Sequence, residues 1–312
     1  MNVLVTGGTG FIGRWVAEKE LSQGFDVYVL DNLSNGEEKN LSEFKSELAA
    51  FKVGDIRNRK LVSNFFNKNK FDICIHLAAQ INVQRSLENP YETFEVNVMG
   101  TYNLLEEARK YGAKMVLVST CMVYDIAHAS KAIDETYPLN PRSPYAASKL
   151  ASDIMAMSYY HAYELPVVVT RPFNTYGPFQ KSNTEGGVIS IFLERYLAGQ
   201  TLEVFGDGTQ TRDFIYVEDC SDFIVRASLL DRAVGQVINA GSGCDIAIKD
   251  LASLIAKDSN RIRYVTHPHP QSEITKLLCD YSKAKKLLDW EPKVSFNEGI
   301  EKTKKWLLSR GN

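Results

Sequence analysis

The segment Ser143-Pro144-Tyr145-Ala146-Ala147-Ser148-Lys149 sets a phenol and an ammonium four residues apart. On a helix that spacing is about one turn, so the two side chains share a face. Pro144 suits a first helical turn and Ser143 suits its cap, which predicts a helix starting here. A lysine held beside a tyrosine favours the phenolate and lowers the phenol from its ordinary value of ~10. Such a phenol is a candidate base near neutral pH. The same pair on a solvated helix face does no chemistry, so the surroundings decide.

Residues 2–6 read as a short buried strand, followed by Gly7-Gly8-Thr9-Gly10-Phe11-Ile12-Gly13 and a helical pattern from Arg14 to Gln23. A second apolar strand, Val27-Tyr28-Val29-Leu30, ends in Asp31 and Asn32. Strand, glycine turn, helix and acid-terminated strand make a dinucleotide-binding unit. Gly7, Gly10 and Gly13 let backbone amides approach a pyrophosphate, and the helix N-terminus beside Phe11 and Ile12 offers unpaired N–H groups to it. Asp31 would accept hydrogen bonds from the adenosine ribose hydroxyls. Its charge would repel a 2′-phosphate, which favours NAD over NADP. A glycine triplet alone is often only a tight turn; the following helix and Asp31 make it a nucleotide motif.

The alternation continues. A strand at 51–53 runs into Gly54-Asp55-Ile56, where Asp55 is placed to reach the adenine edge. A strand at 71–77 ends in Leu77-Ala78-Ala79-Gln80, whose small residues leave room for a cofactor backbone. A helix from Tyr91 to Tyr111 carries Asn97. The strand at 114–119 leads into Ser119-Thr120-Cys121-Met122, where a hydroxyl can orient a substrate hydroxyl toward Tyr145. The strand at 166–171 leads into Pro172-Phe173-Asn174. Strands separated by helical segments predict an α/β fold, a Rossmann-type doubly wound parallel sheet with ligands at the strand C-termini.

Beyond 178 the pattern changes. A Gly/Ser/Asn loop at 181–188 precedes a helix at 189–199, a strand at 202–205 and the segment 206–214. A helix at 217–230 and a strand at 236–240 return to the sheet. Helical segments follow at 245–257, 283–289 and 297–308. This interleaving assigns 1–173 plus 212–247 to an NAD-binding domain and 174–211 plus 248–312 to a smaller substrate-binding lobe.

Composition narrows the function class. The 312 residues carry 44% hydrophobic and 24% charged side chains, with a net charge of −2. That balance is ordinary for a soluble protein and gives no footing to a nucleic-acid partner. The five cysteines include no Cys-x-x-Cys pair, which fits reduced thiols in a cytoplasm. His267 and His269 lie two apart in a Pro-rich loop and read as solvated, so no metal site is expected. No apolar run approaches the ~18 residues of a membrane span, and the chain opens directly into Val3-Leu4-Val5 without a signal-peptide pattern.

The nucleotide motif, Ser119-Thr120, Tyr145/Lys149 and the segments at 171–178 and 206–214 together resemble the extended short-chain dehydrogenase/reductase family. More narrowly they resemble its nucleotide-sugar 4-epimerases and dehydratases. The resemblance implies NAD and a nucleoside-diphosphate sugar. It makes Tyr145 the base that takes the sugar's 4-hydroxyl proton as hydride leaves C4, and Lys149 the ligand of the nicotinamide ribose. Thr120 and Cys121 would lie against the sugar, with Thr120 on the 4-oxygen. Asn174 would contact the sugar or diphosphate, Arg212 a phosphate, and Glu273 the nucleoside ribose. Val188 and Phe205 would flank the base, unless they are plain core; Arg212 and Asp213 form an internal ion pair on the alternative reading. The family also implies a homodimer through helices near 93–110 and 145–163, with Met155, Tyr159 and Tyr160 as interface or as core.

Cys121 and Met122 stand where many 4,6-dehydratases carry acidic residues. Methionine cannot exchange a proton, and a thiol of ~8.5 is an awkward acid/base partner. Epimerisation needs neither group, so the expectation is 4-epimerisation of a sugar such as UDP-glucose or galactose, or the N-acetylhexosamine or uronic acid equivalent. Dehydration, decarboxylation and pure NAD or sugar-nucleotide binding are the alternatives. Asp125 replaces a common glycine, and Pro270 replaces an arginine of the diphosphate clamp. Gln80-Ile81-Asn82-Val83 looks epimerase-like, and Leu277, near the sugar C2 group by resemblance, leaves glucose and N-acetylglucosamine types open.

Overall fold

The computed structural model describes residues 1–127, 131–182, 187–267 and 270–310. Strand β1 (Asn2–Thr6), helix α1 (Phe11–Ser22) and β2 (Asp26–Asp31) form the opening unit. β3 (Ala50–Val53), α2 (Arg59–Asn69) and β4 (Ile73–His76) extend it, followed by the short helices α3 (Val83–Glu88) and α4 (Pro90–Phe94). Then come α5 (Gly100–Tyr111), β5 (Lys114–Val118), α6 (Pro144–Tyr163) and β6 (Val167–Pro172). The second half holds β7 (Asn174–Tyr176), α7 (Val188–Leu197), β8 (Leu202–Phe205), β9 (Thr211–Tyr216), α8 (Val217–Leu229) and β10 (Gln236–Ala240). It closes with β11 (Asp245–Ala247), α9 (Ile248–Ala256), β12 (Ile262–Val265), α10 (Ser282–Leu288) and α11 (Phe296–Arg310).

Seven strands form one parallel sheet in the order β10-β6-β5-β4-β1-β2-β3. Val3, Leu4 and Val5 have no exposed surface, as a sheet covered on both faces requires. Successive side chains point to opposite faces. Val3, Val5, Val27 and Val29 join a core with α1 and α8, while Leu4, Leu30, Met115 and Leu117 pack with α2, α5 and α6. The expected Rossmann-type doubly wound sheet is the observed one. The chain leaves β1 toward β2 and returns to β4 on β1's other side, opening a crevice at their C-terminal ends, where such sheets bind ligands.

A smaller lobe has its own core, including Phe192, Leu193, Phe214, Tyr216 and Leu251. It contains the sheet β11-β9-β7 and the pair β12-β8. Here local periodicity misleads. The segment expected to be helical from 245 begins as β11, antiparallel to β9 with Asp245 opposite Asp213, and turns helical only at Ile248. β7, β9 and β12 are equally illegible locally, because each exists through a distant partner. The expected helix at 91–111 contains a π turn at Glu95–Met99, centred on Asn97. The final helix is longer than expected, running to Arg310.

The glycine turn is sterically tight. Gly7 has a φ of +71°, and a Cβ on Gly13 would lie 2.1 Å from the Gly7 carbonyl oxygen. Gly13→Ala is therefore expected to force β1 and α1 apart at a cost of about 1–3 kcal/mol. A lowered thermal midpoint would show this; an unchanged one would mean that the turn relaxes freely.

Candidate active site

Helix α6 starts as its sequence predicts. Ser143 caps it, the Oγ accepting from the Ala146 N–H at 3.2 Å, with Pro144 in the first turn. The helix meets the C-terminal end of β5, where Lys149 Nζ donates to the Val118 carbonyl at 2.8 Å. The Tyr145 phenol lies within electrostatic reach of the hydroxyl of Thr120, the residue that caps the turn after β5. Phenol, hydroxyl and ammonium thus converge from two elements.

The electrostatics differ from the expectation. Burial pushes the Tyr145 phenol up to about 12, opposed by the Thr120 hydroxyl. Lys149 does not lower it here: its own value of about 8 lies below that of the phenol, so the ammonium has lost its charge before the phenol ionises. Burial also lowers Lys149 to about 8, with Asp153 resisting.

A cleft at the sheet's C-terminal edge runs from the glycine turn to this pair. It is lined by Gly7, Gly10, Phe11, Ile12, Gly13, Asp31, Asn32, Ile56, Leu77, Ala78, Ala79, Tyr145, Lys149 and Pro172. Asp31 accepts from the Thr9 and Leu33 N–H groups at 3.0 and 2.8 Å, leaving lone pairs for further donors. Two further expected residues are held by neighbouring residues, Asp55 next to the lining residues Gly54 and Ile56 and bonded to Asn32 at 3.0 Å. Asp55 pairs with Arg57 at 2.7 Å and is held down to about 2 by it. Asn97 is buried, donating to Gln80 O and Ser148 Oγ and accepting from the Gln80 N–H, so it braces the β4 loop against α6.

Sequence reasoning missed Ser34, Asn35 and Gly36, which also line the cleft. Their signal was a polar, glycine-containing run directly after Asp31. A Cβ on Gly36 would meet Thr9 Oγ1 at 2.0 Å. A dinucleotide fits this donor set: a glycine cradle with no space for side chains, an acid at one end, and at the other the buried Ser119 Oγ, which has no protein partner.

The remaining candidates gather beyond Thr120. Cys121 is buried, its thiol pushed up to about 12 by burial, and it lies within electrostatic reach of Arg212. Asn174 Oδ1 is buried without a partner. Arg212 pairs with Glu273 and donates to the Ile274 carbonyl at 2.7 Å. The Arg212–Asp213 ion pair is not formed. Asp213 instead accepts from Ser242, Gly243 and Cys279 N–H groups, and burial raises it to about 6. Phe205 is 44% exposed and so is not core, whereas Val188 packs against the lobe's core.

His267 was read as solvated, but its Nε2 lies 2.5 Å from Glu273 and its ring is edge-on to Phe205. His269 lies outside the described residues. Leu277 is fully buried beside Cys121. Asp125 finds an account: it accepts from the Ile126 N–H and from Asn140 Nδ2, stapling the loop after β5 to the approach of α6.

A family model described as GDP-mannose 4,6 dehydratase matches residues 4–303. The chain is 37% identical to a UDP-glucose 4-epimerase of Mycolicibacterium smegmatis, over 97% of each chain. The crystal structure of Pal from Bacillus thuringiensis superposes with a TM-score of 0.98 at 53% identity, covering 99% of this chain and 100% of that one. A Thermotoga maritima UDP-glucose 4-epimerase solved with UDP-glucose gives 0.93 at 33% identity, covering all of both chains.

The chain belongs to the NAD-dependent nucleotide-sugar epimerase/dehydratase family.

In this family member the buried lysine carries a stability cost. Its value is lowered from 10.5 to about 8 on folding, so the unfolded chain binds more protons between those pH values. Stability contributed by the group therefore rises with pH across that window. Lys149→Met is expected to be more stable than wild type at pH 7, on the order of 2 kcal/mol after loss of the Val118 bond. The advantage should vanish by pH 10.5. Denaturant titrations across this range check it, and a variant destabilised at every pH would refute it.

Proposed function

We propose that this protein is an NAD-dependent 4-epimerase of a nucleoside-diphosphate sugar, with a UDP-hexose or UDP-N-acetylhexosamine as the first substrates to test. One observation carries the reading. The Tyr145 phenol and Lys149 stand at the end of the dinucleotide cleft with the Thr120 hydroxyl in reach, and the adjoining positions hold a buried thiol and a methionine instead of carboxylates.

NAD, when bound, would supply the hydride acceptor for C4 and a positive charge near the phenol. Tyr145 would remove the proton of the sugar 4-hydroxyl, and Thr120 would hold the same oxygen. An ammonium has three N–H groups, and Lys149 gives one to Val118, leaving two for the nicotinamide ribose. Asp31 would take the adenosine ribose, and the Gly7–Gly13 turn the pyrophosphate. Arg212, Asn174, Glu273 and Phe205 would hold the diphosphate and nucleoside, which requires Arg212 to turn from Glu273 toward phosphate. Elimination at C5 and C6 needs an acid and a base. A thiol pushed to about 12 and Met122 supply neither at neutral pH. Oxidation at C4, rotation of the keto sugar and hydride return need only the pair already present.

The division into 1–173 plus 212–247 and 174–211 plus 248–312 belongs to the same proposal. Its support is that the large sheet draws its strands from Asn2–Pro172 and Gln236–Ala240, whereas β9 and β11, within 212–247, belong to the smaller lobe's sheet. A homodimer is proposed through α4, α5 and α6. Tyr159 is core and Met155 and Tyr160 pack against it, but Phe94, Met99, Ile154 and Tyr163 on and beside these helices are exposed.

Incubation with NAD and a panel of UDP-sugars should interconvert gluco and galacto forms. Tyr145→Phe should lose roughly 10²–10⁴-fold in turnover while still binding NAD. A 4-keto product absorbing in base, or released carbon dioxide, would select dehydration or decarboxylation instead. Light scattering should give twice the chain mass, and Ile154→Glu should shift it toward monomer; a monomeric wild type would sink the dimer.

A further inference from the structure

The catalytic face of α6 continues one turn past Lys149 to Asp153. Tyr145, Lys149 and Asp153 recur at four-residue steps, so all three lie along one face. Asp153 is 2% exposed and belongs to no part of the cleft lining. Its Oδ2 accepts at 2.9 Å from the Nε–H of Arg171, the penultimate residue of β6. Its Oδ1 is buried and takes no hydrogen bond. The Arg171 guanidinium lies 4.9 Å from the centre of the Tyr124 ring, and Tyr124 donates to Asn239 Oδ1 at 2.7 Å. A buried ion pair of this kind is weak evidence for stability, since apolar replacements are often as stable. Its place beside a buried ammonium calls for another account.

We propose that Asp153 is a positioning residue for Lys149, holding its ammonium protonated in the desolvated site, while Arg171 keeps the Asp153 carboxylate ionised. An ammonium that loses its proton loses the charge beside the phenol and one of the N–H groups that it offers to a ribose. Asp153 supplies the compensating negative charge, and it does so without competing for the ammonium's N–H groups in the way a direct hydrogen bond would. Of the influences on Lys149, burial lowers its proton affinity and Asp153 raises it. Burial lifts the Asp153 carboxyl above its ordinary value, and Arg171 and Lys149 oppose that rise.

The other titratable groups around the pair do not substitute for Asp153. Tyr145 on the same helix is pushed up and neutral. Arg171 from β6 has the wrong sign. His76 from β4 is held neutral, down to about 3, by burial and by Lys149 itself. Cys121 and Tyr124, after β5, are both raised by burial. Glu106 from α5 takes the Tyr159 hydroxyl further along the helix, and Arg85 and Glu92 from α3 and α4 pair with each other.

The inference rests on the reading of Lys149 as a cofactor ligand, and its test separates the two. In protein labelled with ¹³C at the lysine ε-carbons, the Lys149 resonance is assigned with Lys149→Met and titrated. Asp153→Asn alone strands the Arg171 charge and can fail to fold, so the decisive variant is Asp153→Asn/Arg171→Met, which removes both charges together. The Lys149 midpoint is expected near 8 in wild type and lower by about one unit or more in the double variant. Asp153→Glu should restore it in part. The alkaline loss of NAD affinity, measured by calorimetry, should move down by the same amount. An unmoved midpoint in a folded double variant overturns the proposal and leaves Asp153 as a plain strut. If wild type fails to bind NAD, the proposed function falls, while the resonance still decides Asp153.

Discussion

Lys149 reaches the Val118 carbonyl at 2.8 Å, and that bond joins α6 to β5 at the ligand edge of the sheet. It is a charge-assisted bond in a site from which water is excluded, where such bonds are strong and unpaired charges costly. Everything that does chemistry is arranged around it. Tyr145 sits one turn before Lys149, Thr120 sits two residues beyond Val118, and Asp153 follows one turn after. The cost of burying the ammonium is visible in its lowered proton affinity. The fold bears that cost through the apolar packing on both faces of the sheet, which holds α6 against β5.

The second lobe obeys a different constraint. Its small sheets assemble from segments far apart in the chain, and the polar groups they bring together satisfy one another. Arg212, Glu273 and His267 form one such group, and Asp213 with the Ser242–Gly243 turn forms another. Asp213 points away from Arg212 because consecutive residues of β9 face opposite sides, and three backbone N–H groups meet its carboxylate there from two loops. Arg212 is left to Glu273, which puts in contact the cation proposed to read phosphate and the acid proposed to read ribose. Ligand entry would then exchange one ion pair for two new contacts, which keeps either charge from standing unpaired in a partly desolvated site.

The loop after β5 links the two halves. Thr120 serves the phenol, Cys121 is buried against the second lobe's approach, and Asp125 ties the loop to residue 140. A reaction that continued past the keto sugar would need acid/base groups on this loop. Burial makes the thiol less acidic than a free one, so packing reinforces the chemical conclusion drawn from residue type alone.

How much was legible varied with the range of the interactions. The βαβ turn, the parallel sheet, the start of α6 and most of the cleft lining follow from near neighbours: Gly13 against Gly7, Ser143 under Ala146, Asp31 at a strand end. Those interactions are local, so residue type and spacing by themselves determined them, and with them the family and its cofactor. Tertiary structure decided what depends on distant partners. It set Asn97 as a brace between the β4 loop and α6, paired Asp55 with Arg57, made 245–247 a strand because β9 lies beside it, and gave Arg212 to Glu273. It also set the proton affinities of Tyr145 and Lys149, because burial is a property of the assembled fold and leaves no mark on the spacing of two residues.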